Sequence, residues 1–172
     1  LAEGVTSWQI VEALKAADFL EGDVADVPAE GSLAPESYEV VAGDDRNALL
    51  DRMEQEQAAR LAAAWANRAE GLPIESPEEA LVLASIVEKE TGRADERERI
   101  SGVITRRLQK RMRLQMDPTV IYGIGPGFNG NLTRKDLQTP TPYNTYTRRG
   151  LPPTPIAMPG RAAIHAALHP AA

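Results

Sequence analysis

Two carboxylates stand at the end of an apolar run, Leu81-Val82-Leu83-Ala84-Ser85-Ile86-Val87-Glu88-Lys89-Glu90-Thr91. Read as a helix, the run puts Glu90 on a face with Leu83, Ile86 and Val87, and Glu88 on a face with Leu81, Ala84 and Ser85. An apolar wall penalises ionisation, and the negative end of the helix dipole penalises a carboxylate as well. Both effects raise the pKa, and a carboxyl kept protonated near neutral pH is what a general acid needs. The same spacing also allows Glu88 and Glu90 to be ion-paired with Lys89, Arg93 or the basic residues that follow. Periodicity alone leaves both readings open.

Two further clusters carry chemically capable side chains. In Arg113-Leu114-Gln115-Met116-Asp117-Pro118-Thr119-Val120-Ile121-Tyr122-Gly123, Gln115 and Thr119 are neutral hydrogen-bonders suited to hydroxyls and amides. Asp117 before Pro118 reads most simply as a helix N-cap. In Thr139-Pro140-Thr141-Pro142-Tyr143-Asn144-Thr145-Tyr146, two tyrosines flank an amide on a proline-stiffened loop. Aromatic faces beside an amide suit a polar sugar or a peptide, and equally a Tyr-rich turn packed on the core.

The remaining composition narrows the chemistry. The 172 residues include no cysteine, so disulfides, thiolate metal sites and cysteine nucleophiles are excluded. The two histidines, His165 and His169, lie near the end of the sequence and cannot form a three-histidine metal site. Residues 1–98 carry 23 acidic and 8 basic side chains, whereas residues 99–172 carry 2 and 11. That basic half raises nucleic acid as a partner. However, no phosphate-binding glycine loop, helix-turn-helix pattern or aromatic-interleaved basic sheet accompanies it, so no nucleic-acid partner is expected. No apolar run approaches the ~20 residues of a membrane span.

The elements that must position these residues read mainly as helices. Thr6 and Gln9 form a capping box for a helix with Ile10, Val11, Leu14 and Phe19 inward, closing near Gly22. Ser37 to Ala42 is a short strand candidate. Asp44 or Asp45 opens a long helix to Gly71 with Leu50, Met53, Leu61 and Trp65 inward. Ser76-Pro77-Glu78-Glu79 opens the Glu90 helix, which is apolar nearly all round and therefore central. A helix over about 95–112 follows, with Ile100, Val103, Ile104, Leu108 and Met112 inward. Residues 123–160 read as a long Pro-, Gly- and Tyr-rich irregular segment, of a kind usually functional or mobile. A last short helix covers about 161–168. The expected class is α+β and predominantly helical, divided as an amino-terminal segment 1–42 and a main domain 43–172.

Several of these blocks, in this chain order, resemble the endolytic murein transglycosylase (YceG-like) family. They are Ala84 to Thr91, Arg113 to Gly123, Asn129 to Thr133, Thr139 to Tyr146 and Gly150 to Pro153. Glu30 to Tyr38 resembles a degenerate form of a further family block, and Leu1 to Leu20 the segment after the family's LysM-like region. The resemblance implies a lysozyme-like catalytic helix core facing a long cleft loop. It implies cleavage of the β-1,4 bond between N-acetylmuramic acid and N-acetylglucosamine within peptidoglycan glycan strands, leaving 1,6-anhydro ends. One Glu protonates the glycosidic oxygen, then takes the proton of the muramyl C6 hydroxyl. No metal, cofactor or second catalytic carboxylate is implied, so the two-carboxylate hydrolase pattern does not apply.

Carried over residue by residue, the family's catalytic Glu is Glu90, one of the two carboxylates that the helical-face argument singles out. Glu88, Gln115, Thr119, Tyr143, Asn144 and Tyr146 are the expected substrate-binding residues, with Glu30 and Tyr38 behind them. The positive charge after residue 98 would suit the anionic peptide stems of murein. The resemblance also implies a place at the periplasmic face of the bacterial inner membrane, and peptidoglycan synthases as partners. Family members carry an amino-terminal membrane helix and carboxy-terminal strands outside these residues, so a soluble, carboxy-terminally truncated piece of an anchored protein is expected. Two other functions compete: a non-catalytic peptidoglycan-binding scaffold module, and a hydrolase pairing Glu90 with Asp117 or Glu88.

Overall fold

A computed structural model describes all 172 residues and contains seven helices: α1 (Ser7–Ala16), α2 (Arg46–Ala66), α3 (Pro77–Glu90), α4 (Ala94–Gln109), α5 (Asp117–Ile124), α6 (Arg134–Gln138) and α7 (Arg161–Leu168). The local start signals behave as their chemistry dictates. Thr6 Oγ1 accepts the Gln9 N–H at 3.2 Å while the Gln9 side chain accepts the Thr6 N–H at 2.9 Å. Ser76 Oγ accepts the Glu79 N–H at 3.2 Å, with Pro77 inside the first turn. Such caps satisfy amide donors that have no partner within the helix.

Helix α3 is the central element. Every residue from Ala80 to Val87 is buried, and α3 packs against α7, α4, α2 and α5. Its side chains meet Ile104 of α4, Leu114, Ile156 and the α7 residues Ala163, Ile164, Ala167 and Leu168 in the larger of two apolar cores. Ser85 adds the one polar tie through the middle, donating to the Val82 carbonyl at 2.6 Å and accepting the Ile156 N–H at 3.0 Å. A second core joins Ile10, Leu14, Leu20 and Leu33 to Leu49, Leu50 and Met53 of α2 and to Met158. Each fully buried aliphatic side chain contributes ~1.5–3 kcal/mol relative to exposure.

Four expectations about the elements are corrected. No strand forms over residues 37–42; the sole strand-type pairing is an isolated bridge between Glu21 and Asp45. The polar groups of that stretch are used locally, Tyr38 OH donating to the Ala34 carbonyl and Val41 N–H to Asp44 Oδ2. Helix α1 stops at Ala16 because the Arg46 guanidinium takes the carbonyls of Leu14, Ala17 and Gly22, and Phe19 lies exposed beyond it. Helix α4 stops at Gln109 because Arg111 adopts a left-handed φ of 56°, which leaves Met112 exposed instead of inward. Helix α6, inside the stretch expected to be irregular, is set by a second capping box, Thr133 with Asp136.

Candidate active site

Glu90 is the last residue of α3, and Asp117 is the first of α5. The two helices pack together, which brings the Asp117 charge within reach of Glu90. Glu90 remains accessible to solvent, yet the surrounding protein removes enough water from its carboxyl to raise the pKa above the ordinary carboxylate range, and the Asp117 charge raises it further. Neither Glu88 nor Glu90 forms the ion pairs allowed by the spacing. Lys89 instead donates to the Gly4 carbonyl, and Arg93 engages Asp95 and Glu96.

Asp117 is not the N-cap of α5; that position is Met116, which has no side chain suited to capping. The Asp117 carboxylate is instead engaged by Tyr146, whose phenol donates to Oδ1 at 2.5 Å. That bond, with burial and the charges of Asp117 and Glu90, pushes the Tyr146 pKa up to about 12. Glu90, Asp117 and Tyr146 thus form one electrostatic group, although 29 residues separate the last two in sequence.

The loop that delivers Tyr146 is held rigidly. Asn144 is buried, its amide donating to the carbonyls of Thr139 at 2.8 Å and Leu137 at 3.0 Å while Oδ1 accepts the Tyr146 N–H at 2.8 Å. Thr145 Oγ1 accepts the Met116 N–H at 2.9 Å and lies 2.8 Å from the hydroxyl of Thr119, itself fully buried. Gln115 donates its N–H to the Thr145 carbonyl at 3.2 Å, holds a left-handed φ of 52° and presents its side chain to solvent. A non-glycine residue in that conformation costs ~1–2 kcal/mol, which this stapled surround offsets. Thr119 and Asn144 were expected to face a substrate; buried and saturated with internal bonds, they build the wall that carries Tyr146 and Gln115.

Tyr143 closes the next layer. Its ring lies 4.9 Å from that of Tyr122, tilted by 57°, and its hydroxyl is 2.8 Å from Thr154 Oγ1. Tyr122 in turn donates to Glu30 Oε2 at 2.8 Å, and Glu30 Oε1 accepts the Ser7 N–H at the start of α1 at 2.8 Å. Burial and the Glu30 carboxylate push the Tyr122 phenol well above its ordinary range. Glu30 therefore joins the site from the amino-terminal side, through a tyrosine not singled out in the sequence.

Two expected residues lie elsewhere. Glu88 is a clamp: its Oε1 accepts the Gly160 N–H at 2.8 Å and fixes the start of α7 to the end of α3, and burial raises its pKa. Tyr38 lines a separate depression with Arg52 and Gln55 and stands beneath the Arg52 guanidinium, 5.8 Å from the ring centre. It is not brought to Glu90.

Two depressions are lined by residues that adjoin the Glu90 group in the chain. A groove of about 520 Å³ runs between the α1 start and α5, with Trp8, Lys89, Pro118 and Phe128 among its lining. A smaller depression of about 160 Å³ has Thr145, Arg148 and Arg149 among its lining. The arrangement offers an accessible carboxyl biased toward its protonated form, a neighbouring carboxylate and a phenol. No helix is long and apolar enough to cross a membrane.

Residues 1–172 match the model of the YceG-like family. An endolytic murein transglycosylase of Bacillus subtilis is 44% identical over 90 residues, covering 52% of this chain and 25% of that protein. One of Streptococcus pneumoniae is 30% identical over 145 residues, covering 81% of this chain and 26% of that protein. The chain thus spans about a quarter of the length of these curated relatives. The crystal structure of a YceG-like protein from Listeria monocytogenes superposes with a TM-score of 0.80 at 28% identity, covering 100% of this chain and 66% of that one.

Proposed function

The chain belongs to the YceG-like family, and from that premise we propose that it carries the catalytic centre of an endolytic lytic transglycosylase acting on peptidoglycan. Residues 43–172 form the catalytic domain in this reading, with α3 as the acid-bearing helix of a lysozyme-like core. The observation that carries it is Glu90 itself: an accessible carboxyl at the end of a buried helix, with its pKa raised by desolvation and by Asp117. The names of the B. subtilis and S. pneumoniae relatives support the same chemistry.

In this mechanism Glu90 starts protonated. It gives its proton to the glycosidic oxygen as the bond from muramyl C1 breaks, and the leaving sugar departs with a free hydroxyl. The resulting Glu90 carboxylate takes the proton of the muramyl C6 hydroxyl, whose oxygen closes on C1. Water is not consumed, and Glu90 ends protonated again. Asp117 favours the starting state by its charge, and Tyr146 holds Asp117 in place. The glycan lies along the surface on both sides of Glu90, as an endolytic cut requires. The Arg148–Arg149 depression suits the carboxylates of peptide stems.

Digestion of purified sacculi, with mass spectrometry of the products, tests this reading. The expected products carry 1,6-anhydro-muramyl ends, and Glu90→Gln lowers their release by about a hundredfold or more without changing the melting temperature. Full activity in the Glu90→Gln variant would overturn the assignment. The proximity of Asp117 favours one competitor, a hydrolase with two carboxylates, which would release reducing muramic acid ends instead.

A further inference from the structure

The groove between α1 and α5 has no role in the proton transfers. It has an unusual composition for a free surface. Trp8 is 49% exposed at the start of α1, and Phe128 stands in the same groove, with Ile121 in its lining. Polar groups are set among these apolar faces: the Glu30–Tyr122 pair, the Gln9 side chain and the Lys89 ammonium. Trp8 is held in position, because it lies within the capped first turn of α1 and the next residue back, Ser7, is tied by its N–H to Glu30 and by its hydroxyl to the Ala29 carbonyl.

A purely apolar partner would leave those polar groups without water or hydrogen bonds, which is costly. A pyranose ring meets both demands. Its axial C–H face packs on an aromatic ring, its equatorial hydroxyls and acetamide reach polar neighbours, and the methyl of the acetamide takes an apolar corner. The volume, about 520 Å³, lies within the range of small-ligand sites. The groove comes within one residue of the acid along the chain, since Lys89 and Pro118 line it and are the chain neighbours of Glu90 and Asp117.

We propose that this groove is a sugar subsite in which Trp8 and Phe128 pack against N-acetylhexosamine rings of the glycan on one side of the bond that is cut. The inference rests on the transglycosylase reading for the identity of the glycan and deepens it by assigning α1, outside the residues of the Glu90 group, to substrate binding. The groove's one cation, Lys89, is engaged by the Gly4 carbonyl, and the Glu30 carboxylate shares the lining, so the groove suits sugar rings better than stem carboxylates.

The test is an NMR titration of the full chain with chitotetraose, a tetramer of N-acetylglucosamine without peptide stems. The chain has two tryptophans, Trp8 and Trp65, so two indole N–H signals report separately. The Trp8 signal shifts saturably and the Trp65 signal stays. Trp8→Ala and Phe128→Ala each weaken binding by about tenfold, and Trp8→Phe restores most of it. With sacculi as substrate, Trp8→Ala raises KM more than it lowers kcat. A static Trp8 signal, or unchanged binding in both alanine variants, overturns the subsite even where Glu90→Gln abolishes cleavage. A shift of the Trp8 signal with protein concentration alone assigns the groove to a second copy of the chain and overturns it too. If Glu90→Gln keeps full activity, the catalytic reading fails while the titration still decides the groove.

Discussion

Tyr146 donates its phenolic hydrogen to Asp117 at 2.5 Å, and Asp117 is the charge that raises the Glu90 pKa. The loop and the two helices are thereby joined in one proton-affinity network. Removing the charge with Asp117→Asn lowers the Glu90 pKa. A general acid must begin protonated, so its activity is lost as pH rises through that pKa. The alkaline limb of the kcat/KM profile therefore moves to lower pH. An unmoved limb would show that Asp117 acts on Glu90 only sterically.

Glu88 is expected to affect stability, not chemistry. Glu88→Ala leaves the Gly160 N–H without its acceptor and costs ~1–3 kcal/mol in urea unfolding, whereas Glu88→Gln keeps an acceptor. The pH dependence has a definite sign. The folded-state pKa of Glu88 is raised, so its contribution is fully present below the unfolded-state pKa and is lost as pH rises through the folded one. Glu88→Gln abolishes that loss, and denaturation midpoints across this pH range will show a flatter profile than the parent's.

Helix α5 sits too close to the loop wall for a methyl group. A Cβ on Gly123 would lie 2.9 Å from Thr141 Oγ1 and 3.2 Å from Tyr143 Cβ. Gly123→Ala is expected to push the wall away from α5, at a cost of ~1–3 kcal/mol, and to lower cleavage of sacculi by more than the folded fraction accounts for. Unfolding and activity measured on the same preparation separate the two effects.

The Thr145 hydroxyl holds the wall to the start of α5. Thr145→Val removes the acceptor of the buried Met116 N–H and costs ~1–3 kcal/mol, while Thr145→Ser keeps the hydroxyl and stays near the parent in melting temperature. Because the next residue is Tyr146, the valine variant should also lose part of the upward shift of the Tyr146 phenol. Ultraviolet titration of the tyrosines checks this.

Local signals were legible wherever a few neighbouring residues decide the outcome. The Thr6–Gln9 and Ser76–Glu79 caps lie within one turn, so the starts of α1 and α3 could be read directly, as could the burial of α3 from its near-continuous apolar face. Spacing along one helix also placed Glu88 and Glu90 at the end of α3, while the choice of Glu90 came from the family resemblance. The helix ends were less legible, since Arg46 ends α1 from a distant part of the chain and Arg111 ends α4 by a backbone conformation that its side chain does not announce. The strand expected at 37–42 lacked a partner, and β pairing cannot be inferred from one segment alone.

By itself, then, the sequence determined the helix that carries Glu88 and Glu90, because it follows from short-range periodicity and capping, and the family resemblance singled out Glu90 as the proposed acid. Only the tertiary structure decided what surrounds that acid. It turned Asp117 from a cap into the charge beside Glu90, Glu88 into a clamp on α7, and Thr119 and Asn144 into buried supports. It also brought Glu30 to Tyr122 and Trp8 to the groove. Each of these relations joins residues far apart in the chain, and distance in sequence carries no information about contact until the cores around α3 and α2 have packed.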